Sequence, residues 1–291
     1  MGMSSPFAYF GGKNFLAKKL VHLLPDHETY IEVFGGSAAL LFAKKPSYIE
    51  VYNDVDLNLV NFFRVLRSLE CSKILQENMT HTPYSRQEYY NFIAEFNSLE
   101  EVSADVDLNR AYLWYYIQLC GFSGVFGGSW SASGVRKVAE SYLNTIRRLP
   151  NLQQRFEHVH VENDSFEQIL YRYDNKNAFF YLDPPYVPST RKSGGYKNEL
   201  SDDDHKRLMD IITCPLFESK VMLSGYRNEL YDNALSSWSA IDFEGMPCPA
   251  VGRTKTAGTT GEGAMSKKYT RTETIWINYK TQQGINQLSL L

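Results

Sequence analysis

The run Phe179-Phe180-Tyr181-Leu182 stops abruptly at Asp183-Pro184-Pro185-Tyr186. An unbroken apolar run of this length reads as a strand buried on both faces of a parallel sheet. Neither proline has a backbone N–H to give a ladder, so the strand ends there, and Pro184 biases Asp183 towards an extended backbone. A carboxylate, a carbonyl of constrained orientation and an aromatic ring thus gather at the carboxyl end of one strand. In open α/β sheets that edge binds ligands. Such a tripod suits a flat group with an exocyclic amine: Asp183 and the Pro184 carbonyl accept its two N–H bonds while Tyr186 stacks on its face. A strand that merely ends in a proline turn is the competing reading.

Other strand tips carry residues of related use. Phe7-Ala8-Tyr9-Phe10-Gly11-Gly12-Lys13 leads into helical apolar spacing over Asn14 to Leu24, and its glycine pair permits close approach to a ligand. Thr29 to Phe34 reads as a strand ended by Gly35-Gly36, with a helix from Ser37 to Lys44. The pattern is not GxGxxG and has no Walker lysine, so a phosphate ligand is not indicated. Glu32 suits a positively charged ligand instead, or stands as a solvated strand-end carboxylate. The second strand, Tyr48 to Tyr52, ends at Asn53-Asp54. Asp54 follows the glycine turn by about twenty residues, where an acid can hydrogen-bond both ribose hydroxyls. His158 to Glu162 is the third strand, and Asp164 is placed to cap a helix from Phe166 to Arg172, to reach an adenine amino group, or to do both. The alternating His158 and His160 read as exposed strand residues, since no further ligand stands at zinc spacing.

The elements that must hold these tips alternate strand and helix, except in one long segment. Between the second and third strands, residues 57–149 carry helical patterns over Leu57 to Leu69, Ser85 to Asn97, Asp107 to Leu119 and Val135 to Leu149. The loop Gly121 to Gly134, rich in small residues, reads as a lid or a surface that moulds to a partner. The stripe Tyr112, Trp114, Tyr115 and Tyr116 reads as core. After the tetrapeptide, Val187 to Leu200 is basic, and Ser201 with Asp204 forms a capping box for a helix from Asp202 to Ile212. Lys220 to Ser224 is a fifth strand, Arg227 to Leu235 a helix and Trp238 to Phe243 a sixth strand. Gly245 to Arg271 is a Gly- and Thr-rich loop with five cations and only Glu262 against them. Thr272 to Tyr279 supplies a seventh strand, which should pair with the sixth as an antiparallel hairpin.

Composition excludes some classes. The 291 residues are 43% hydrophobic and 22% charged, ordinary for a globular protein of one large or two small domains. With a formal net charge of -3, any nucleic-acid contact has to rest on local basic patches. Twenty Tyr and 17 Phe make a rich aromatic share; most of these rings read as core, and a surplus also suits base stacking. The four cysteines form no CxxC pair, which argues against a zinc site or a disulfide framework and for a reducing cytoplasm. No signal peptide or membrane span is expected.

Together the motifs resemble those of the Dam-like (D12 class) DNA adenine-N6 methyltransferases. Phe7 to Lys13 resembles the family's N-terminal cofactor motif, Glu32-Val33-Phe34-Gly35-Gly36-Ser37 its glycine motif, Asn53-Asp54 its ribose-binding acid and Asp183-Pro184-Pro185-Tyr186 its catalytic motif. Arg271 to Tyr279 resembles its last strand. The resemblance implies an α/β, Rossmann-like seven-stranded sheet with the last strand antiparallel. It divides the chain into a catalytic domain, residues 1–56 and 150–291, and an inserted helical target-recognition domain, residues 57–149. The implied cofactor is S-adenosylmethionine, held by Tyr9, Phe10, Gly11, Lys13, Glu32, Phe34, Gly35, Gly36, Ser37, Asp54, Asp164 and Asp183; no metal is needed. The implied partner is double-stranded DNA, with a flipped adenine meeting Asp183, Pro184, Pro185 and Tyr186. Ser123, Ser129, Trp130, Arg136, Lys137, Arg191, Lys192, Lys197, Arg253, Lys267 and Lys268 are the expected DNA contacts. A cognate restriction endonuclease is a further partner the resemblance admits; the chain is expected to act as a monomer, with a dimer left open, and not at a membrane. Gly121 to Gly134 departs from the family pattern, so the target sequence is left undefined. Cytosine-N4 methylation, a catalytically silent DNA-binding protein and a nicotinamide-dependent oxidoreductase are the rival readings. The last lacks its pyrophosphate-binding glycines.

Overall fold

Every residue of Ala178–Leu182 is buried, and successive side chains enter different cores. Phe179 and Tyr181 face one, while Ala178, Phe180 and Leu182 face the other. This is the period-two alternation of a strand covered on both sides. It is the central strand of a computed structural model that describes residues 2–9, 11–103, 105–132, 137–187, 199–247 and 270–281.

The strands are β1 (Thr29–Glu32), β2 (Ile49–Asn53), β3 (His160–Glu162), β4 (Ala178–Leu182), β5 (Lys220–Gly225), β6 (Ser239–Pro247) and β7 (Thr270–Ile277). They form one sheet in the order β3-β2-β1-β4-β5-β7-β6. The first five pair in parallel. β7 runs antiparallel to both β5 and β6, so the hairpin expected from the sequence forms and its second strand lies inside its first. The order reverses between β1 and β4, and the carboxyl ends of these two strands open the crevice at which doubly wound sheets take ligands.

One face of the sheet is covered by α9 (Phe166–Tyr173), α10 (Asp202–Ile212) and α11 (Glu229–Ala234), through Ile169, Leu208 and Tyr231. The capping box of Ser201 and Asp204 is present at the start of α10. The other face carries α1 (Asn14–Leu20), α2 (Ala39–Ala43) and α3 (Leu57–Arg67). Beyond α3 follow α4 (Leu69–His81), α5 (Arg86–Ser98), α6 (Leu108–Cys120), α7 (Val138–Arg147) and α8 (Leu149–Phe156). Aromatic rings make this core continuous: Tyr52 of β2 lies 4.3 Å from Phe63, and Phe62 lies 4.6 Å from Tyr115. Trp114, Tyr115 and Tyr116 are buried, and Tyr112 is half-buried at the edge of the same core.

Two helices were not read from the sequence. Ser68 both ends α3 and caps α4, its hydroxyl accepting the Cys71 N–H, so the run from Leu57 to Leu69 covers only the first helix. α4 buries only Ser72, Leu75 and Met79, too thin an apolar stripe to announce itself. The helix expected from Val135 to Leu149 is α7, which stops at Arg147. α8 starts at Leu149 with Pro150 in its first turn, where a missing N–H breaks no helical bond. The loop after α6 is more ordered than its glycines imply. Phe122 N–H donates to the Ser129 carbonyl at 2.8 Å and Ser131 N–H to the Cys120 carbonyl at 2.8 Å, closing a hairpin around a 3-10 turn at Phe122–Gly124. Among the described residues no helix is long and apolar enough to cross a membrane.

Candidate active site

A cavity of about 380 Å³ opens at the carboxyl ends of β1, β2 and β4. Tyr9, Gly11, Lys13, Glu32, Phe34, Gly35, Gly36, Ser37, Asp54, Asp183 and Pro185 all line it, which brings together most of the residues that the sequence singled out. The glycine turn is required by its neighbours. A Cβ on Gly35 would lie 2.2 Å from the Tyr52 ring, and Gly36 has φ +49°. The Tyr52 hydroxyl donates to the Gly36 carbonyl at 2.9 Å, and the Gly36 N–H donates to Asp54 Oδ2 at 2.9 Å. Asp54 Oδ1 accepts the Asp56 N–H at 2.8 Å, so the backbone fixes both oxygens of this carboxylate. Burial nevertheless pushes its pKa up to about 6.

Glu32 is also held: Oε2 accepts the Tyr30 hydroxyl at 2.9 Å and the Leu41 N–H at 3.1 Å. It is buried, not a solvated strand end, and burial pushes its pKa up to about 8 despite those two donors. A cationic ligand group beside it would favour the ionised form.

The Asp183-Pro184-Pro185-Tyr186 tetrapeptide is tied to the N-terminal motif. Lys13 Nζ donates to Asp183 Oδ1 at 2.7 Å and to the Tyr186 hydroxyl oxygen at 2.9 Å. Burial of Lys13 would lower its pKa, but the charges of Asp183, Tyr186 and Glu273 outweigh it and hold the ammonium well above the usual lysine range. Burial raises Asp183 to about 6, the nearby Lys13 opposing and Glu273 adding to the rise. The Tyr186 ring stacks on Tyr226 with centroids 4.1 Å apart and planes at 26°.

Asp164 is placed differently. Ser165, not Asp164, caps α9, accepting the Gln168 N–H, because the Asp164 carboxylate turns instead to Arg172 at 2.7 Å. Its backbone is bound on both sides by the Asn53 side chain, and its neighbours Ser165 and Phe166 line the cavity. Of the residues expected to touch DNA, Ser129 and Lys137 are exposed, Ser123 lies in the 3-10 turn, and Trp130 is half-buried beneath the Arg86 guanidinium at 5.0 Å. Lys137 pairs with Glu140 at 3.2 Å. Phe10, Arg136, Arg191, Lys192, Lys197, Arg253, Lys267 and Lys268 lie outside the described residues.

Several contributors went unrecognised in the sequence. Asn53 Nδ2 donates to the Val33 and Asp164 carbonyls, at 2.9 and 3.1 Å, and so staples three strand ends. Gln118 Nε2 donates to the Ala8 carbonyl at 2.7 Å and to the Gly124 carbonyl at 3.1 Å, which fastens the glycine-rich loop to the N-terminal motif. Glu273 and Tyr226 complete the surroundings of Tyr186. Period-two alternation on β7, where Glu273 shares a face with Ile275 and Ile277, is the one signal that marks Glu273 as buried.

A family model described as D12 class N6 adenine-specific DNA methyltransferase matches residues 9–246, a span that contains the cavity and the catalytic tetrapeptide. The chain belongs to that family. It is an adenine-specific DNA methyltransferase, and a methyl donor and a DNA substrate follow from the class. A Haemophilus influenzae protein named as a methyltransferase is 26% identical over 82% of this chain and 83% of its own length. Modification methylase StsI of Streptococcus sanguinis is 24% identical over 72% of this chain, and the DNA N-6-adenine-methyltransferase of Escherichia phage P1 is 25% identical over 72%. Those two proteins are much longer, the matches covering 33% and 28% of them. For a D12 methyltransferase, the order of elements now has a chemical sense: the cofactor-type tips after β1 and β2 come before the helices, and the tetrapeptide after β4 comes behind them.

Proposed function

We propose that this D12 methyltransferase takes its methyl group from S-adenosylmethionine and delivers it to N6 of an adenine extruded from double-stranded DNA. The observation that carries this reading is the single cavity joining the glycine turn, Asp54 and Asp183. Its donor set fits the cofactor. Glu32, Asp54 and Asp183 are carboxylates on one wall, suited to a ligand with cationic and hydroxyl groups, and Gly35-Gly36 lets the backbone approach closely. Asp54 would bind the ribose, Glu32 and the glycine turn the methionyl part. Tyr9 and Phe34 supply apolar wall, with Ser165 and Phe166 near the base. Bound S-adenosylmethionine supplies an electrophilic methyl carried on a sulfonium.

The chain's own residues do the rest. Asp183 and the Pro184 carbonyl accept the two N–H bonds of the adenine amine, draw its lone pair out of ring conjugation and aim it. Lys13 helps Asp183 stay ionised against its burial, and an ionised carboxylate is the stronger acceptor for the amine N–H. Tyr186 packs against the extruded ring. Residues 57–149 are proposed as the target-recognition unit, since Gln118 places the loop Phe122–Ser129 beside the N-terminal motif. The protein would work in the cytoplasm on its own, as a monomer. A cognate restriction endonuclease is a partner drawn from the modification methylase among its relatives.

Base-resolved methylation sequencing of DNA from cells expressing the chain tests the proposal. N6-methyladenine in one sequence context is the expected result; N4-methylcytosine in its place, or no modified base, would overturn it.

A further inference from the structure

Glu273 lies on β7, 4% exposed, on the face it shares with Ile275 and Ile277. An apolar residue would fill that position at no electrostatic cost, whereas a buried carboxylate has to be matched by donors. Three groups converge on it. Ser224 donates to Oε1 at 2.7 Å, the Tyr186 hydroxyl donates to Oε2 at 3.0 Å, and Lys13 Nζ is 3.4 Å from Oε1. Tyr186 is therefore clamped at both ends: its hydroxyl accepts from Lys13 and donates to Glu273, and its ring lies on Tyr226. Glu273 does not line the cavity itself, so whatever it does for the reaction it does through these neighbours.

We propose that Glu273 is a positioning residue for methyl transfer, tying the Tyr186 hydroxyl and the Lys13 ammonium to β7 so that the Tyr186 ring and the Asp183 carboxylate keep the spacing a target amine needs. The proposal rests on the roles given above to Asp183 and Tyr186. It also has an electrostatic side. The groups acting on Asp183 are Lys13 from the N-terminal motif, Glu273 from β7, and the tyrosine and glutamate neighbours Tyr181, Glu32 and Tyr231. Of these, Lys13 lowers the Asp183 pKa and Glu273 raises it.

The test compares Glu273→Ala, Glu273→Gln, Tyr186→Phe and the Glu273→Ala/Tyr186→Phe pair in methyl transfer to DNA free of adenine methylation. Cofactor affinity and melting temperature are measured alongside. Glu273→Ala should lower kcat on the order of 10- to 100-fold with cofactor affinity unchanged, the loss expected of a misplaced reacting group. Glu273→Gln should recover part of that loss, since its amide oxygen still accepts a hydroxyl. It should also move the acid limb of the kcat profile to lower pH. Glu273→Ala should cost less in the Tyr186→Phe background than in the wild type. Full kcat in Glu273→Gln with an unmoved acid limb, or losses that simply multiply in the double variant, would overturn the proposal. If Glu273→Ala does not fold, the Glu273→Gln measurements decide alone. Fluorine NMR of 3-fluorotyrosine at position 186 reads the positioning without any turnover: Glu273→Gln should shift or broaden that resonance, and an unchanged one overturns the proposal. A wild type that methylates no adenine while this resonance does respond would defeat the roles of Asp183 and Tyr186 and leave the clamp standing.

Discussion

Lys13 and Asp183 are 170 positions apart in the chain, and their side chains meet at 2.7 Å. The contact joins the first motif of the D12 methyltransferase to its catalytic tetrapeptide and places a cation where burial works against an ionised acid. The same ammonium reaches Tyr186, so one side chain orders both ends of the tetrapeptide.

Asp183→Ala should abolish methyl transfer while cofactor binding survives. Loss of one preorganised hydrogen-bonding group at a reacting centre costs on the order of 10²- to 10³-fold in kcat. Single-turnover transfer of a labelled methyl group and titration calorimetry with S-adenosylmethionine separate the two effects. Substantial remaining turnover would remove Asp183 from its role.

Asp54→Ala should weaken cofactor binding before it touches the chemical step. The change strips the acceptor from the Gly36 and Asp56 N–H groups, so stability should fall as well. Asp54→Asn keeps an acceptor oxygen and should spare more of the stability than of the affinity, by about 1 kcal/mol for one retained bond. An unchanged dissociation constant in either variant would take Asp54 out of the ribose site.

The ligand-free chain should lose stability as pH rises from about 5 to about 8. Asp54 and Asp183 are raised to about 6 and Glu32 to about 8, so each binds its proton more tightly folded than unfolded. Their contribution is complete below about pH 4 and is lost as pH rises through those values. His27 works in the opposite direction because burial lowers its pKa, and Lys44, lowered to about 8 by burial, joins it only at the top of the range, so the three carboxylates dominate below it. Calorimetric melting across this range should show a falling midpoint, and Glu32→Gln should flatten the part of the fall between about 6 and about 8. A midpoint that climbs through that interval would contradict the raised carboxylates.

Neutralising Lys267, Lys268 and Arg271 together should flatten the salt dependence of DNA binding. If all three meet phosphates, the logarithmic slope drops by roughly 0.9 for each. Binding isotherms at several salt concentrations give the slope directly, and an unaffected slope would mean that these residues do not meet the backbone.

What the sequence disclosed follows from how local each signal is. The tips after β1, β2 and β4 are marked by glycine pairs, an Asp and a proline pair, all of which constrain the backbone within a few residues. Those tips were found, and the seven strands with them. Lys13 was found through its glycine turn, but its bond to Asp183 was not, because nothing local encodes a neighbour 170 positions away. Asn53 was read only as the residue before Asp54; its bonds to Val33 and Asp164 depend on a strand pairing that only the folded sheet creates. Asp164 was expected to cap α9, but the neighbouring Ser165 does so, and the Asp164 carboxylate pairs with Arg172. α4 was lost because its face is mostly polar and its stability comes from α3, α6, α7 and α8 packed against it.

The placement of β7 between β5 and β6 makes the surroundings of the tetrapeptide depend on a strand far along the chain. Without β7, β5 would lack its outer partner, the Tyr186 phenol would lose Glu273, and the Lys13 ammonium would keep Asp183 as its carboxylate. Any product that stops short of Thr270 would carry the glycine turn, Asp54 and the tetrapeptide, yet leave a raw β5 edge and no Glu273. The cleft thus leans on a strand that carries none of its motifs: β7 closes the edge of β5 and brings Glu273 to the Tyr186 hydroxyl.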